Sequence, residues 1–188
     1  KYFSFSFFLF YHYLRHQKQI MKASGYFSQY FETIYQGLKS INSVQLDQAA
    51  SMVWETHQSN KKIIIVGNGG SAAMASHVAV DFTKAAGIRA INFNEADLLT
   101  CFANDYGYEK WVEKAVDFYA DEGDVLILIS SSGESLNMIN ACKIAKSKNI
   151  SKIITFTGHN KGNPLSKLGD INFWINSKAY NFVENIHQ

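Results

Sequence analysis

From Met21 to about Gln58, apolar residues recur at three- and four-residue steps. They are Tyr26, Phe27, Tyr30, Phe31, Ile34, Tyr35 and Leu38, then Val44, Leu46, Ala49, Ala50, Met52, Val53 and Trp54. That spacing predicts helix, divided in two by Gly37 and the Ser40–Ser43 stretch. The aromatic stripe of the first helix has two readings, packing on its own sheet or burial against another subunit. Beyond Gln58 the pattern changes. Apolar, β-branched runs at 62–66, 89–93, 124–129, 152–156 and 172–175 predict strands. Between them lie stretches of helical periodicity. Ala72–Ala86 is the first, and a short helix through Leu98, Leu99 and Phe102 follows an Asn94–Glu95 cap. Tyr106–Tyr119 is expected to turn Trp111, Ala115, Val116 and Phe118 inward, and Ser135–Lys148 follows the third strand. Pro164, the only proline, opens a short helix, and Tyr180–Gln188 begins the last one. The alternation predicts an α/β fold of one domain, a parallel sheet covered by helices on both faces in three layers.

The two ends change this picture little. The chain starts at Lys1, and Tyr2–Leu14 is aromatic but shorter than the run of about 20 apolar residues that spans a bilayer. His12, Arg15, His16 and Lys18 stand where a signal peptide would place small residues for cleavage. Residues 1–20 are therefore read as upstream or added sequence outside the fold, and 21–188 as the domain. Gln188 falls in the first turns of the last helix, so the natural chain is expected to continue and that helix to be truncated. Composition narrows the class. With 18 basic and 16 acidic residues among 188 there is no basic stripe, which argues against a nucleic-acid partner. Cys101 and Cys142 match neither a disulfide framework nor a zinc spacing, and read as reduced, buried core residues of a cytoplasmic protein.

Two turns carry the candidate chemistry: Val66-Gly67-Asn68-Gly69-Gly70-Ser71 and Ile129-Ser130-Ser131-Ser132-Gly133-Glu134-Ser135. Each joins an apolar strand to a helix and so exposes backbone N–H groups and hydroxyls at the helix's positive end. Two such turns predict two halves of one ligand site at the carboxyl ends of parallel strands. The first lacks both the lysine of a P-loop and the spacing of a dinucleotide fingerprint. The second offers the hydroxyls of Ser130, Ser131, Ser132 and Ser135 without a lysine or arginine. That set suits a sugar phosphate better than a nucleotide triphosphate with magnesium. His77 and Asp81, four apart on one helix face, fit a metal site, an acid–base pair or a plain hydrogen bond. Glu184 and His187, three apart, are a second such pair, and the four groups converge if their helices meet above the sheet. His57 and His159 read as solvated.

These blocks occur in order with Ala103-Asn104-Asp105-Tyr106-Gly107 and Glu184-Asn185-Ile186-His187. Together they resemble the sugar isomerase (SIS) domain, and within it the phosphoheptose isomerases. The resemblance implies a five-stranded parallel sheet and a homotetramer with sites between subunits. It also implies interconversion of sedoheptulose 7-phosphate and heptose 7-phosphate through an enediol, in heptose synthesis for a surface polysaccharide. By the same resemblance Ser130, Ser132 and Ser135 hold the phosphate with the backbone at Ser131. Asn68 and Ser71, with Gly69 and Gly70 between them, hold the sugar, and Glu95 is an acidic residue near it. His77, Asp81 and Glu184 would be zinc ligands, with Asp81 and Glu184 catalytic. The chain departs from the family pattern at three positions. Asp81 stands for a glutamate, Glu184 for a glutamine, and Glu134 for an asparagine beside the phosphate. The family's last catalytic histidine lies about a turn beyond His187. A rival reading is a non-catalytic SIS-fold protein that binds a sugar phosphate or a protein partner.

Overall fold

A computed structural model describes residues 23–150 and 152–188, so the expectation for residues 1–20 lies outside the described residues. The chain divides into two units, Lys1–Gln36 and Gly37–Gln188. The described part of the first is most of helix α1 (Ala23–Lys39), whose aromatic residues meet one another. The rings of Tyr26 and Tyr30 stack at 6.2 Å, as do those of Phe27 and Phe31.

The second unit opens with α2 (Ser43–Gln58), where the Asn42 side chain caps the first turn by accepting from the Val44 and Gln45 N–H groups. It continues β1 (Ile63–Gly67), α3 (Gly70–Lys84), β2 (Ala90–Ile91), α4 (Ala96–Tyr106), α5 (Trp111–Tyr119), β3 (Val125–Ser130), α6 (Leu136–Ser147), β4 (Lys152–Thr157), a 3-10 turn (Leu165–Lys167), β5 (Ile171–Trp174) and α7 (Tyr180–His187). All strand pairs are parallel, in the order β2-β1-β3-β4-β5. Every residue of β1 and β3 is buried. A central strand covered on both faces has no solvent side, which is why its sequence is an unbroken apolar run. Side chains still alternate across the sheet. Ile64, Val66, Leu126, Leu128 and Ile153 pack with Trp111, Val112, Val116, Met138 and Cys142 of α5 and α6. Ile63, Ile65, Val125, Ile127, Ile129 and Ile154 pack with Met74, Ala75 and Ala79 of α3. The result is the expected three-layer α/β sandwich on five parallel strands.

Three details differ from the sequence reading. The second strand is two residues long because the Asn92 side chain accepts from the Asn94 N–H at 2.9 Å, and that turn withdraws the chain from the ladder. The expected helix 106–119 is Trp111–Tyr119 alone, since Tyr106 ends α4 and the chain turns at Gly107 with φ +90°, and Phe118 is 65% exposed rather than inward. Cys142 is buried but Cys101 is exposed. Along α2, Val44, Leu46 and Trp54 are exposed, and Leu46 and Trp54 border an apolar groove of about 380 Å³ floored by Ile127, Ile154, Phe156 and Phe173. No helix among the described residues is long and apolar enough to cross a membrane.

The strand order places a switch point between β1 and β3. Connections leave these neighbours in opposite directions, and in an open α/β sheet this opens a crevice at their carboxyl ends. The opposite ends are tied by Lys62, whose Nζ lies 2.6 Å from a carboxylate oxygen of Asp124 and 2.6 Å from one of Asp121.

Candidate active site

Both glycine- and serine-rich turns end at this crevice, since Gly67 and Ile129 are register partners on β1 and β3. In the first turn a Cβ on Gly67 would lie 2.6 Å from the Ser71 backbone, so the strand-to-helix bend is closed to any side chain there. Gly69 takes φ +55°, ψ −120°, a conformation open to glycine. A Cβ on Gly70 would lie 2.6 Å from Oε2 of Glu184. The Glu184 carboxyl therefore rests on the first residue of α3, at the positive end of that helix. Burial nevertheless pushes this carboxyl above the ordinary carboxylate range.

The second turn is held by its own hydroxyls. Ser130 Oγ donates to Ser135 Oγ at 3.1 Å and accepts from the Gly133 N–H at 3.2 Å, and Ser132 Oγ accepts from the Glu134 N–H at 3.1 Å. Ser135 begins α6 without using its side chain as a cap. Ser131 Oγ is buried with no protein partner among the described residues. Glu134 is exposed and accepts from the Asn160 amide at 3.4 Å, which turns its charge outward.

Together the turns enclose a cavity of about 190 Å³ lined by Asn68, Ser71, Ile129, Ser130, Ser131, Ser132, Ser135, Tyr180 and Glu184. Four clustered hydroxyls, one of them buried without a partner, at the start of α6 make a receptacle for an anion that carries several acceptor oxygens. Seven of the residues singled out in the sequence thus meet here: Asn68, Ser71, four serines and Glu184. Gly69 and Gly70 form the adjoining backbone. Tyr180 was missed, although it lies four residues before Glu184 and so on the same helix face.

Other expected residues stand elsewhere. Glu95 is exposed at the start of α4 and makes no capping bond, and it is absent from the cavity wall. His77 and Asp81 pair on the outer surface of α3, with Nε2 and Oδ2 3.3 Å apart and side chains 57% and 62% exposed. The anticipated convergence of four ionisable groups does not occur in the single chain. Glu184 faces the cavity, whereas His187 donates from Nε2 to the Thr157 carbonyl at 3.1 Å and meets the Phe156 ring edge-on. Among the described residues no group of three or more His, Cys, Asp or Glu side chains is placed to hold a metal ion. The donor set as it stands in one chain does not fit a zinc centre. His159 is not solvated as expected. Its Nε2 is buried without a partner among the described residues and its ring packs edge-on against Tyr180 at 4.9 Å.

Comparison with known proteins agrees with this geometry. The profile of the SIS domain family matches residues 26–158. A phosphoheptose isomerase of Aliarcobacter butzleri is 36% identical over 157 residues, which are 79% of this chain and 82% of that protein. The solved phosphoheptose isomerase of Neisseria gonorrhoeae superposes with a TM-score of 0.79 at 29% identity, covering 87% of this chain and 90% of the other. That of Francisella tularensis gives 0.80 at 25% identity, covering 89% and 92%. By sequence profile, by identity and by fold, the chain belongs to the SIS domain family, among the phosphoheptose isomerases.

Proposed function

We propose that this protein is a phosphosugar isomerase that interconverts sedoheptulose 7-phosphate and heptose 7-phosphate through an enediol. The cavity of serines at the start of α6, walled by Asn68 and by the desolvated Glu184, is the observation that carries this reading. The relatives' activity points the same way. Ser130, Ser131, Ser132 and Ser135 take the phosphate oxygens, and Asn68 and Ser71 take sugar hydroxyls.

Moving the carbonyl between the first two carbons needs a base that removes a proton from carbon and an acid that serves the oxygen. Burial favours the protonated form of a carboxyl, so Glu184 at the cavity wall is suited to carry a proton and pass it on. Asp81, oriented by His77, is the second proton-transfer group, presented on the exposed face of α3. Because that pair lies outside the cavity of its own chain, we assign it to a site completed by a neighbouring copy in a homotetramer. The residues present do not fit zinc in one chain, and no step is assigned to it. Two free cysteines suit a reducing compartment, and we place the enzyme in the cytoplasm.

Conversion of sedoheptulose 7-phosphate followed by NMR, with and without added zinc, tests the reading. Turnover is expected, with loss of at least about 100-fold in kcat/KM for Ser132→Ala/Ser135→Ala at an unchanged melting temperature. Saturable binding with no turnover under either condition would instead favour a sugar-phosphate-binding regulator.

A further inference from the structure

Asn68 is held by more than the turn it belongs to. Its amide lies against that of Asn137, the second residue of α6, in a reciprocal pair. Asn68 Nδ2 donates to Asn137 Oδ1 at 3.0 Å, and Asn137 Nδ2 donates to Asn68 Oδ1 at 2.8 Å. Asn137 is buried, with 2% exposure, and its Oδ1 also accepts from the Met138 backbone N–H at 3.1 Å. That last bond decides the orientation of the whole pair. An amide turned over by half a rotation keeps nearly the same shape, so its partners determine which end carries the nitrogen. The Met138 N–H is shared between the Ser135 carbonyl and Asn137 Oδ1, both at 3.1 Å, and a turned amide would press its NH2 group against that N–H, so the oxygen of Asn137 stands at Met138 and its nitrogen at the far edge. The Asn68 amide must then show its oxygen to that nitrogen. The opposite orientation would set two N–H groups face to face in a buried position.

Tyr108, between α4 and α5, adds a second donor to the same oxygen. Its hydroxyl donates to Asn68 Oδ1 at 3.2 Å. Asn68 Oδ1 thus has both acceptor positions filled, and one Nδ2 hydrogen is used by Asn137. The other Nδ2 hydrogen has no protein acceptor among the described residues, and Asn68 lines the serine cavity.

We infer that Asn137 is a positioning residue acting through Asn68: with Tyr108 it fixes the Asn68 amide so that an N–H meets an oxygen of the bound sugar phosphate. This rests on the phosphosugar isomerase reading. The atom recognised is an acceptor, a hydroxyl or carbonyl oxygen of the sugar or the oxygen that gains charge in the enediolate. A donor aimed in advance gains strength as that charge develops, without reorganisation at the moment of reaction. The pair also spans the crevice, since Asn68 follows β1 and Asn137 follows the turn after β3.

Asn137→Asp tests the inference. It keeps the acceptor for Met138 but replaces the donor that faces Asn68 Oδ1 with an oxygen. At pH 8, KM for sedoheptulose 7-phosphate should rise about tenfold and kcat should fall, while affinity for inorganic phosphate, held by the serines, stays within about twofold. The deficit relative to wild type should shrink as the pH is lowered and the introduced carboxyl takes up a proton, regaining a donor. Tyr108→Phe should raise KM about threefold, and the double variant should fall short of the product of the two effects because both act on one oxygen. A wild-type KM and kcat in Asn137→Asp with a flat pH ratio would overturn the inference, as would effects that multiply in full. If Asn137→Asp melts below the assay temperature, Tyr108→Phe decides alone, and unchanged kinetics there refute it. A wild-type enzyme without turnover refutes the isomerase reading and this inference with it. Turnover with indifferent variants refutes the positioning role only.

Discussion

His187 is a neutral imidazole by construction of its surroundings. Nε2 donates to the Thr157 carbonyl, the ring edge meets Phe156, and Nδ1 is buried with no partner among the described residues. A second proton would have to sit on Nδ1 with nothing to solvate it. Burial, opposed only by the Thr157 bond, therefore lowers this imidazole from 6.5 to about 4. The sign of the consequence is fixed. Between those two values the unfolded chain binds a proton that the folded chain does not, so the stabilisation is whole above 6.5 and is lost as pH falls toward 4. Urea unfolding should therefore show an acid loss on the order of 2 kcal/mol larger in wild type than in His187→Gln. Parallel pH profiles for the two proteins would show that the ring is not held neutral. Glu184 works in the opposite direction. Its carboxyl is raised by burial, so its contribution is present at low pH and is lost as pH rises through the folded value.

The turn between β3 and α6 depends on a glycine. Gly133 takes φ +68°, and the Asn163 side chain occupies the place a Cβ would need. The Gly133 N–H donates to Ser130 and its carbonyl accepts from the Leu165 N–H at 3.0 Å, so the same residue sets the hydroxyls of the cavity. Gly133→Ala is expected to cost about 2–3 kcal/mol of stability and to weaken phosphate binding about tenfold, read by urea unfolding and calorimetry. Full stability with normal binding would show that the turn does not rely on this position. Each of the five strands overlaps the apolar run that predicts it, and the signal is unbroken in β1 and β3, which are buried on both faces. The serine turn is equally legible, because its residues are neighbours in sequence as well as in space. What the sequence hid depends on side-chain geometry across long separations. The Asn68–Asn137 pair spans 69 residues, and no periodicity marks it. The split of Glu184 from His187 has the same origin. Residues three apart share a helix face, but here one meets the cavity and the other the sheet. The start of α5 and the shortened second strand were misjudged because Gly107 and Asn92 turn the chain locally in ways that apolar periodicity does not register.

The serine cavity and the exposed His77–Asp81 pair lie in different places on the chain. His77 and Asp81 lie seven and eleven residues beyond Gly70 on α3, about 10 Å and 16 Å along the helix axis. On the proposed reading, those groups reach a sugar phosphate held by another copy. The apolar groove beside α2, bordered by Leu46 and Trp54, is the kind of surface that assembly covers. Shared sites make a prediction that self-contained sites do not. On the proposed reading, in which the serines hold the phosphate and Asp81 of a neighbouring copy is the base, Ser132→Ala/Ser135→Ala and Asp81→Ala should each be inactive alone. If the two variants are unfolded together and refolded as a one-to-one mixture, half the phosphate loops are intact. Half of the neighbouring Asp81 positions are intact as well, and about a quarter of the sites regain both. Activity near that fraction would place the loop and the base of one site on different copies. A mixture as inactive as its parents, with mixed oligomers verified by mass, would place both groups of each site on one chain.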